Sequence, residues 1–286
     1  MVFPITSSDY NELKTIWLEV FNEADINMDV GEYADTFLLH HSPHSGLVYR
    51  ENGRIVSMLF LIPCHWDGAV GYYVYACATS PQFRRKGYMK TLLDAAFEKA
   101  QNEKTFGLIL IPAHPSLFDF YGQYGFQTFS QIAEHQFFEY ETTGNGFDCV
   151  KSDDCAMIAN LRNRFYEQHL AVQFDFPHIR HIQNRIVNVQ GATLLFEHEG
   201  KKGYAFCKHD YLNDSVAVME WALISNTLLE DIPQLFKGIC RYFDVPKLLI
   251  RSRSGLDLGC ERPFSMIRPC SEKQIPKNTY LNLGMD

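Results

Sequence analysis

Residues 79–90 read TSPQFRRKGYMK. The apolar run just before them, about residues 70–79, is typical of a long strand, and residues 87–102 carry apolar side chains at helical spacing. Four positive charges and no acid lie between residues 84 and 90. The free N–H groups and the dipole at a helix N-terminus attract anions, and Gly87 lets a ligand approach the backbone closely. We therefore interpret this turn as a site for an anionic ligand such as a pyrophosphate.

The segments on either side of the turn predict a unit of mixed helices and strands. Upstream, Leu13, Trp17 and Phe21 recur at helical spacing and predict an amphipathic helix. Two strands meet at Asn52-Gly53, a dipeptide typical of a type I′ hairpin. The strands of this hairpin are predicted at 46–50 and 54–62, and further elements at 106–111 (strand), 117–124 (short helix) and 126–140 (one or two strands).

A similar order of elements recurs after Gly144-Asn145-Gly146, without visible sequence identity between the halves. The predicted elements are a helix over about 153–169, strands near 192–198, 203–209 and 216–224, a helix near 228–243, and strands near 247–251, 264–268 and 280–283. The turn at the equivalent place, residues 225–231, reads SNTLLED and has no Gly, Arg or Lys. Its acids Glu230 and Asp231 complement the dipole at a helix start and would repel a pyrophosphate. The second half is therefore predicted to bind no such ligand.

Length and composition narrow the class of protein. At roughly 150 residues per domain, the 286 residues predict two domains. A net charge of −8 argues against a nucleic-acid partner. We expect no membrane partner, because no apolar stretch is long enough, and no signal peptide. Eight cysteines without a CxxC pair predict a reducing, cytoplasmic setting. The cluster of His40, His41 and His44 lacks a carboxylate partner, so we predict no metal site.

Two motifs resemble those of the GCN5-related N-acetyltransferase (GNAT) superfamily. Residues 79–89 resemble its acetyl-CoA signature, V-x-P-x-x-[QR]-x-x-G-x-[GA], and residues 120–126, FYGQYGF, resemble its F-Y-x-x-x-G-F element. The sequence departs from the signature at Met89, where the family prefers Gly or Ala. Met or Leu at that position, a basic turn and a tandem layout resemble the Eis-like (enhanced intracellular survival) acetyltransferases. The resemblance covers residues 1–286, without the sterol-carrier-like domain of those proteins.

The resemblance implies an α+β fold of two tandem GNAT-like domains, each a central, mostly antiparallel sheet flanked by helices. Residues 1–146 would form the catalytic domain that binds acetyl-CoA, and residues 147–286 a degenerate domain with a structural or substrate-shaping role. The implied reaction is N-acetylation of a primary amine, on a small molecule or a peptide, with acetyl-CoA as the acyl donor and no metal. A homo-oligomer is compatible with this layout. An acyl-CoA-binding sensor without turnover is the alternative; the acidic charge disfavours an aminoacyl-tRNA-dependent peptidyl transferase.

The resemblance also implies roles for particular residues. Tyr121 matches the general acid that protonates the leaving thiolate, with core packing as its alternative role. The terminal residue Asp286 is implied as the general base. Glu23, Asp25 and Asp29 lie in an acidic stretch that would attract a cationic amine, although a solvated acidic face explains the same pattern. The implied cofactor-binding residues are Cys77, Ala78, Thr79, Arg84, Arg85, Lys86, Gly87, Tyr88, Met89, Lys90, Ser116 and Leu117.

Overall fold

The computed structural model describes residues 1–21, 30–41, 45–166, 171–210, 213–224, 231–272, 275–276 and 279–281. The α-helices of these residues are α1 (Tyr10–Phe21), α2 (Val30–His41), α3 (Tyr88–Asn102), α4 (Leu117–Gly122), α5 (Cys155–Tyr166), α6 (Phe176–Asn188) and α7 (Ile232–Phe243). The strands are β1 (Val2–Pro4), β2 (Gly46–Glu51), β3 (Arg54–Trp66), β4 (Ala69–Thr79), β5 (Gly107–Leu110), β6 (Gln127–Phe138), β7 (Cys149–Lys151), β8 (Gln173–Phe174), β9 (Ala192–His198), β10 (Lys201–Asp210), β11 (Ser215–Ile224), β12 (Lys247–Arg253) and β13 (Cys260–Pro269). Among the described residues, no helix is long and apolar enough to cross a membrane.

The chain divides into two compact units. Unit 1 contains Met1–Phe129 and Ser265–Ile275, and unit 2 contains Ser130–Phe264 and the described residues from 276 to 281. The division therefore falls inside two strands, β6 and β13, rather than in a loop.

The sheet of unit 1 has the order β1-β2-β3-β4-β5, followed by the last residues of β13. Its strands are antiparallel except for the parallel pair β4 and β5. Asn52 and Gly53 have φ values of 51° and 82°, which confirms the predicted type I′ hairpin between β2 and β3. On β3, Leu59 packs in the core beneath α3, whereas Phe60 contacts Phe37 of α2. This alternation buries both faces of the sheet.

Unit 2 repeats the arrangement with its own elements. Its sheet has the order β6-β12-β11-β10-β9-β7, and β11 and β12 form the parallel pair. Its core includes Leu235, Phe236 and Ile239 of α7 against the strands. The predicted fold class, two GNAT-like units of mixed helices and mostly antiparallel sheet, is confirmed.

The strand that closes each sheet differs from the predicted one. Ile132–Phe138 of β6 pairs with β12 in unit 2, although the prediction assigned residues 126–140 to the first domain. Met266–Pro269 of β13 pairs with β5 in unit 1, although the prediction assigned 264–268 to the second. The compact units therefore differ from the predicted division into 1–146 and 147–286. Apolar alternation predicts that a segment is a strand, but it does not specify the partner of that strand.

Helix α6 has no counterpart among the predicted elements. Asp175 caps it, because the side chain accepts a hydrogen bond from the backbone N–H of His178 at 3.1 Å. Its buried face mixes Ile179, Ile182 and Ile186 with polar residues, including His178 and His181. Polar residues on the buried face weaken the apolar periodicity from which a helix is predicted. Of the strand predicted over 280–283, the described residues show a single β-bridge, in which Tyr280 pairs with Ala171.

Candidate functional site

Strand β4 carries a bulge close to its C-terminal end. Met58 of β3 pairs with Ala78 and Phe60 pairs with Tyr75, so Ala76 and Cys77 together face a single residue of β3. Ala76 has a φ of 49°, which is unusual for a residue other than glycine. A bulge of this kind bends the strand and redirects the side chains that follow it.

Strands β4 and β5 pair over only a short length. Their parallel register comprises Tyr72 with Leu108 and Tyr73 with Ile109, and β5 ends at Leu110. Beyond Tyr73, β4 continues for six further residues. These residues present a backbone edge that β5 does not cover, and such an edge can exchange hydrogen bonds with an extended ligand.

The basic turn links the end of β4 to the start of α3. Gly87 is the N-cap residue and has a φ of 81°, a left-handed conformation that favours glycine. A Cβ at Gly87 would meet no described atom within 4 Å, so the space above this backbone is open. The helical hydrogen bonds begin with Thr91, whose N–H donates to Gly87 at 3.0 Å. The N–H groups of residues 88–90 therefore lie at the open end of the helix, where an anion is stabilised.

The four cations of the turn differ in their partners. Arg84 donates from Nε to the Thr79 carbonyl at 3.2 Å, Lys86 lies 3.5 Å from the carboxylate of Glu51, and Lys90 lies 2.6 Å from Asp94. Arg85 is exposed and has no hydrogen bond or ion pair with any described residue. Arg84 and Arg85 therefore form no ion pair with a described carboxylate, and Arg85 also lacks a hydrogen bond to any described residue.

The departure from the signature at Met89 has a structural role. Met89 is half-buried and packs against the core cluster between α3 and the sheet. The ring of its neighbour Tyr88 stacks on Tyr49 of β2 with 4.3 Å between centroids. The bulk of Met89 therefore fills the core of unit 1.

Tyr121 lies on the short helix α4 and reaches the bulge of β4. It is 8% exposed, and aromatic contacts with Phe120 and Phe126 hold its ring. Cys77 is close enough to affect the pKa of its hydroxyl. Burial, with contributions from Cys77 and Tyr73, raises the pKa of the Tyr121 hydroxyl well above its ordinary value. At neutral pH this hydroxyl therefore holds its proton.

Cys77 lies beside Tyr121 and differs chemically from a nucleophilic cysteine. Although part of the residue reaches the surface, burial of the thiol raises its pKa to about 12. The thiolate is the nucleophilic form of cysteine, and it is scarcely populated at neutral pH with such a pKa. This arrangement favours direct transfer between bound substrates over a covalent intermediate on Cys77.

The other residues implied for cofactor binding lie near the same end of β4 or at the start of α4. Ala78 is fully buried, and its carbonyl accepts a hydrogen bond from Ser57 at 3.0 Å. Thr79 shares a hydrogen bond with the same serine at 2.8 Å. Ser116 is exposed and lies 2.9 Å from His114 Nδ1, while Leu117 packs against the core of unit 1.

Four residues implied for the reaction, Glu23, Asp25, Asp29 and Asp286, lie outside the described residues. Two acids of the same stretch, Glu32 and Asp35, are described and lie on α2. The partners of Asp35 are known. It pairs with Lys14 of α1 at 2.6 Å and accepts a hydrogen bond from Tyr10. Lys14 of α1 thus compensates part of the negative charge of this stretch. The sequence of the stretch itself does not reveal this ion pair.

Glu51 at the end of β2 is part of the site but was not among the residues predicted from sequence. Its carboxylate contacts both Lys86 and Tyr88 of the basic turn. About 35 residues separate them along the chain, and the β2–β3 hairpin brings them together. Glu51 belongs to no local motif, so the sequence alone does not predict its position beside the basic turn.

The corresponding place in unit 2 has the opposite charge. Residues 225–230 lie outside the described part, but Asp231 is the N-cap residue of α7 and pairs with Lys201 of β10 at 2.7 Å. Within the unit, Arg162 of α5 is buried against Glu220 of β11, with 2.9 Å between Nε and the carboxylate. An acid at the N-terminus of α7 suits a helix start without a bound anion.

Comparison with known proteins identifies the fold. A family model described as an acetyltransferase (GNAT) domain matches residues 2–129. No curated protein matches the sequence. A probable N-acyltransferase from Enterococcus faecalis V583 is similar in structure, with a TM-score of 0.73 and 16% identity, over 94% of this chain and 72% of that one.

Two further similar structures are an Eis protein and a tandem GNAT protein. Eis1 from Mycobacterium abscessus has a TM-score of 0.66 and 9% identity, over 94% of this chain and 74% of that one. A tandem GNAT protein from the clavulanic acid biosynthesis pathway has a TM-score of 0.55 and 13% identity, over 96% of this chain and 99% of that one. The predicted resemblance to Eis-like tandem GNAT proteins is confirmed as a likeness of fold, and residues 2–129 match the model of a GNAT acetyltransferase domain.

Proposed function

We propose that this protein transfers an acetyl group from acetyl-CoA to a primary amine of a cationic acceptor, with Tyr121 as the general acid. The observation that carries this proposal is the position of the Tyr121 hydroxyl. It lies against Cys77 on the bulge of β4, where β5 no longer pairs with that strand. The family motif and the geometry thus agree on the same side chain.

The residues around the basic turn fit an acyl-CoA. The N–H groups at the start of α3, the open space above Gly87 and the unpaired charge of Arg85 suit a pyrophosphate. The uncovered edge of β4 after Tyr73 suits the amides of a pantetheine chain. When bound, acetyl-CoA would supply an acetyl thioester whose C–S bond breaks as the amine nitrogen forms the new amide bond.

Tyr121 holds the proton that the leaving sulfur requires. Because its pKa is raised, the hydroxyl is fully protonated at the pH of the cell. Cys77 beside it is a neutral thiol at neutral pH, because burial raises the pKa of that thiol to about 12. The Tyr121 hydroxyl therefore remains available to donate its proton to the leaving sulfur.

The residue that we propose to remove a proton from the acceptor amine lies outside the residues that the structure describes. We retain Asp286 as the proposed base, and Glu23, Asp25 and Asp29 as the proposed acidic wall for a cationic amine. For unit 2 we propose a structural or substrate-shaping role, because its turn carries acids where unit 1 carries cations. A cytoplasmic setting completes the proposal and fits eight free cysteines.

The experiment is a mass-spectrometric screen for acetylated amines, with acetyl-CoA and a panel that includes an aminoglycoside, a polyamine, peptides with a free N-terminus and amino-acid derivatives. Wild type is expected to acetylate at least one amine and release an equal amount of CoA. Tyr121→Phe is expected to lower kcat about 100-fold and leave the KM for acetyl-CoA within about twofold.

Tyr124→Phe is the matched control, because it removes a hydroxyl three residues away on the same motif. It is expected to leave kcat nearly unchanged. Full activity in Tyr121→Phe would remove Tyr121 from the mechanism. Binding of acetyl-CoA without acetylation of any amine would instead support the sensor alternative.

A further inference from the structure

A carboxylate faces the basic turn from the β2–β3 hairpin. Glu51 accepts a hydrogen bond from the Tyr88 hydroxyl and lies 3.5 Å from the Lys86 ammonium. The Tyr88 ring stacks on Tyr49, and the ammonium of Lys86 also lies 4.9 Å from the centre of the Phe83 ring. These contacts hold Lys86 on the hairpin side of the turn.

The negative charge of Glu51 is unfavourable for an anion site. The hydrogen bond from Tyr88, with a smaller contribution from Lys86, lowers the pKa of the Glu51 carboxyl, so it is ionised at neutral pH. It repels a phosphate at the start of α3 and occupies a cation that could otherwise contact that phosphate. A site selected only for tight binding would have a neutral side chain at this position.

The other acid near the turn has a different set of partners. Asp94 pairs with Lys90 one helical turn away and with Arg268 at 3.0 Å. Its charge is therefore compensated by two cations, one of which does not belong to the turn. Glu51 forms one ion pair among the described residues, with Lys86 of the turn itself, and the N-terminal ammonium also helps to lower the pKa of its carboxyl.

We propose that Glu51 competes with the phosphates of the cofactor for Lys86, an inference that rests on the proposed acetyl-CoA site. In the free protein the ammonium pairs with the carboxylate, and in the complex it leaves the carboxylate for a phosphate. Tyr88 keeps the carboxylate beside the turn. Glu51 is thus a positioning residue that weakens cofactor binding and speeds the release of product CoA.

The test is a calorimetric titration of CoA at low ionic strength. Glu51→Gln removes the charge, while its amide oxygen still accepts the hydrogen bond from Tyr88. CoA is expected to bind this variant about two- to fivefold more tightly than wild type, the range of a partly exposed ion pair. Most of this gain is expected to disappear in a Lys86→Met background, because the competition acts through Lys86.

Glu98→Gln is the matched control. It removes an exposed carboxylate of α3 that lies about 16 Å along the helix from Gly87, so it is expected to bring no gain in affinity. A stopped-flow measurement of CoA dissociation is expected to show slower release from Glu51→Gln by a similar factor. If Glu51 only supported the structure of the turn, Glu51→Gln would instead weaken CoA binding and speed CoA release.

The outcomes separate this inference from the proposed function. Absence of CoA binding to wild type would overturn both. Binding to wild type with equal or weaker binding to Glu51→Gln would overturn the competition and leave the acetyl-CoA site intact. An equal gain in CoA affinity from Glu51→Gln in the wild-type and Lys86→Met backgrounds would also overturn the competition. The charge of Glu51 would then weaken CoA binding independently of Lys86.

Discussion

Reversal of a single charge tests the assignment of the basic turn most directly. Arg85 is exposed and unpaired among the described residues, so Arg85→Glu changes the charge of the turn without breaking an ion pair there. The φ of Arg85 is 63°, and glutamate meets the same backbone strain as arginine at that angle. The variant is therefore expected to fold as wild type does.

The size of the effect follows from Coulomb's law. A unit charge at a contact distance of about 4 Å from a phosphate is worth ~1 kcal/mol in water, so reversal of the sign costs ~2 kcal/mol. This corresponds to about thirtyfold weaker binding of acetyl-CoA. Lower effective dielectric at a protein surface increases the effect, and salt reduces it.

Calorimetric titration of acetyl-CoA measures this effect, with Lys104→Glu as the matched control. Lys104 is an exposed cation just beyond the far end of α3, whose 15 residues span about 22 Å. That separation exceeds two Debye lengths in ~0.15 M salt, so the same change of charge is expected to alter binding less than twofold. Wild type is expected to bind one equivalent.

Three results would contradict the reasoning. Binding to Arg85→Glu within about twofold of wild type would show that the turn does not contact the phosphates. Equal weakening by Arg85→Glu and Lys104→Glu would show that only net charge matters. A difference that persists in ~0.5 M salt would argue against a Coulombic origin, because surface charges are then screened.

Two further predictions concern protonation and stability. Because Tyr121 acts in its protonated form and its pKa is raised, kcat is expected to show no alkaline loss assignable to this residue below about pH 10; a loss near pH 8–9 that vanishes in Tyr121→Phe would contradict the assignment. Glu220→Gln is expected to lower the free energy of unfolding in urea by ~3–5 kcal/mol, because the buried charge of Arg162 then lacks its partner. The exposed carboxylate Glu199 is the control, with a change within ~0.5 kcal/mol for Glu199→Gln, and a loss below ~1 kcal/mol for Glu220→Gln would contradict the role of the pair.

Elements that depend on local spacing were predicted close to their observed bounds. The helix predicted over 87–102 is α3 (Tyr88–Asn102), and the strand predicted over 70–79 is β4 (Ala69–Thr79). The hairpin at Asn52-Gly53 depends on two residues that tolerate positive φ. Helix α6 was missed because His178 and His181 are buried on the face that a periodicity argument expects to be apolar.

Parts of the candidate site were predictable for the same reason. The turn and Tyr121 each lie in a short motif, so their residue types and spacing are visible along the chain. Tyr121 and Cys77 belong to segments that are distant along the chain, and the tertiary structure brings them close together at the bulge of β4. The contact of Glu51 with Lys86 needs the hairpin to lie against the start of α3.

The amino-acid sequence by itself determined the local features: the basic turn with Gly87 at its helix start, the hairpin, the FYGQYGF motif, and an acidic turn at the equivalent place in the second half. Only the tertiary structure decided that β6 closes the sheet of unit 2 and that β13 closes the sheet of unit 1. It also decided which charges of the turn pair with described carboxylates, those of Lys86 and Lys90, and which do not, those of Arg84 and Arg85. The physical reason is that backbone conformation and capping depend on neighbours in the chain, whereas strand pairing, burial and ion pairs depend on neighbours in space.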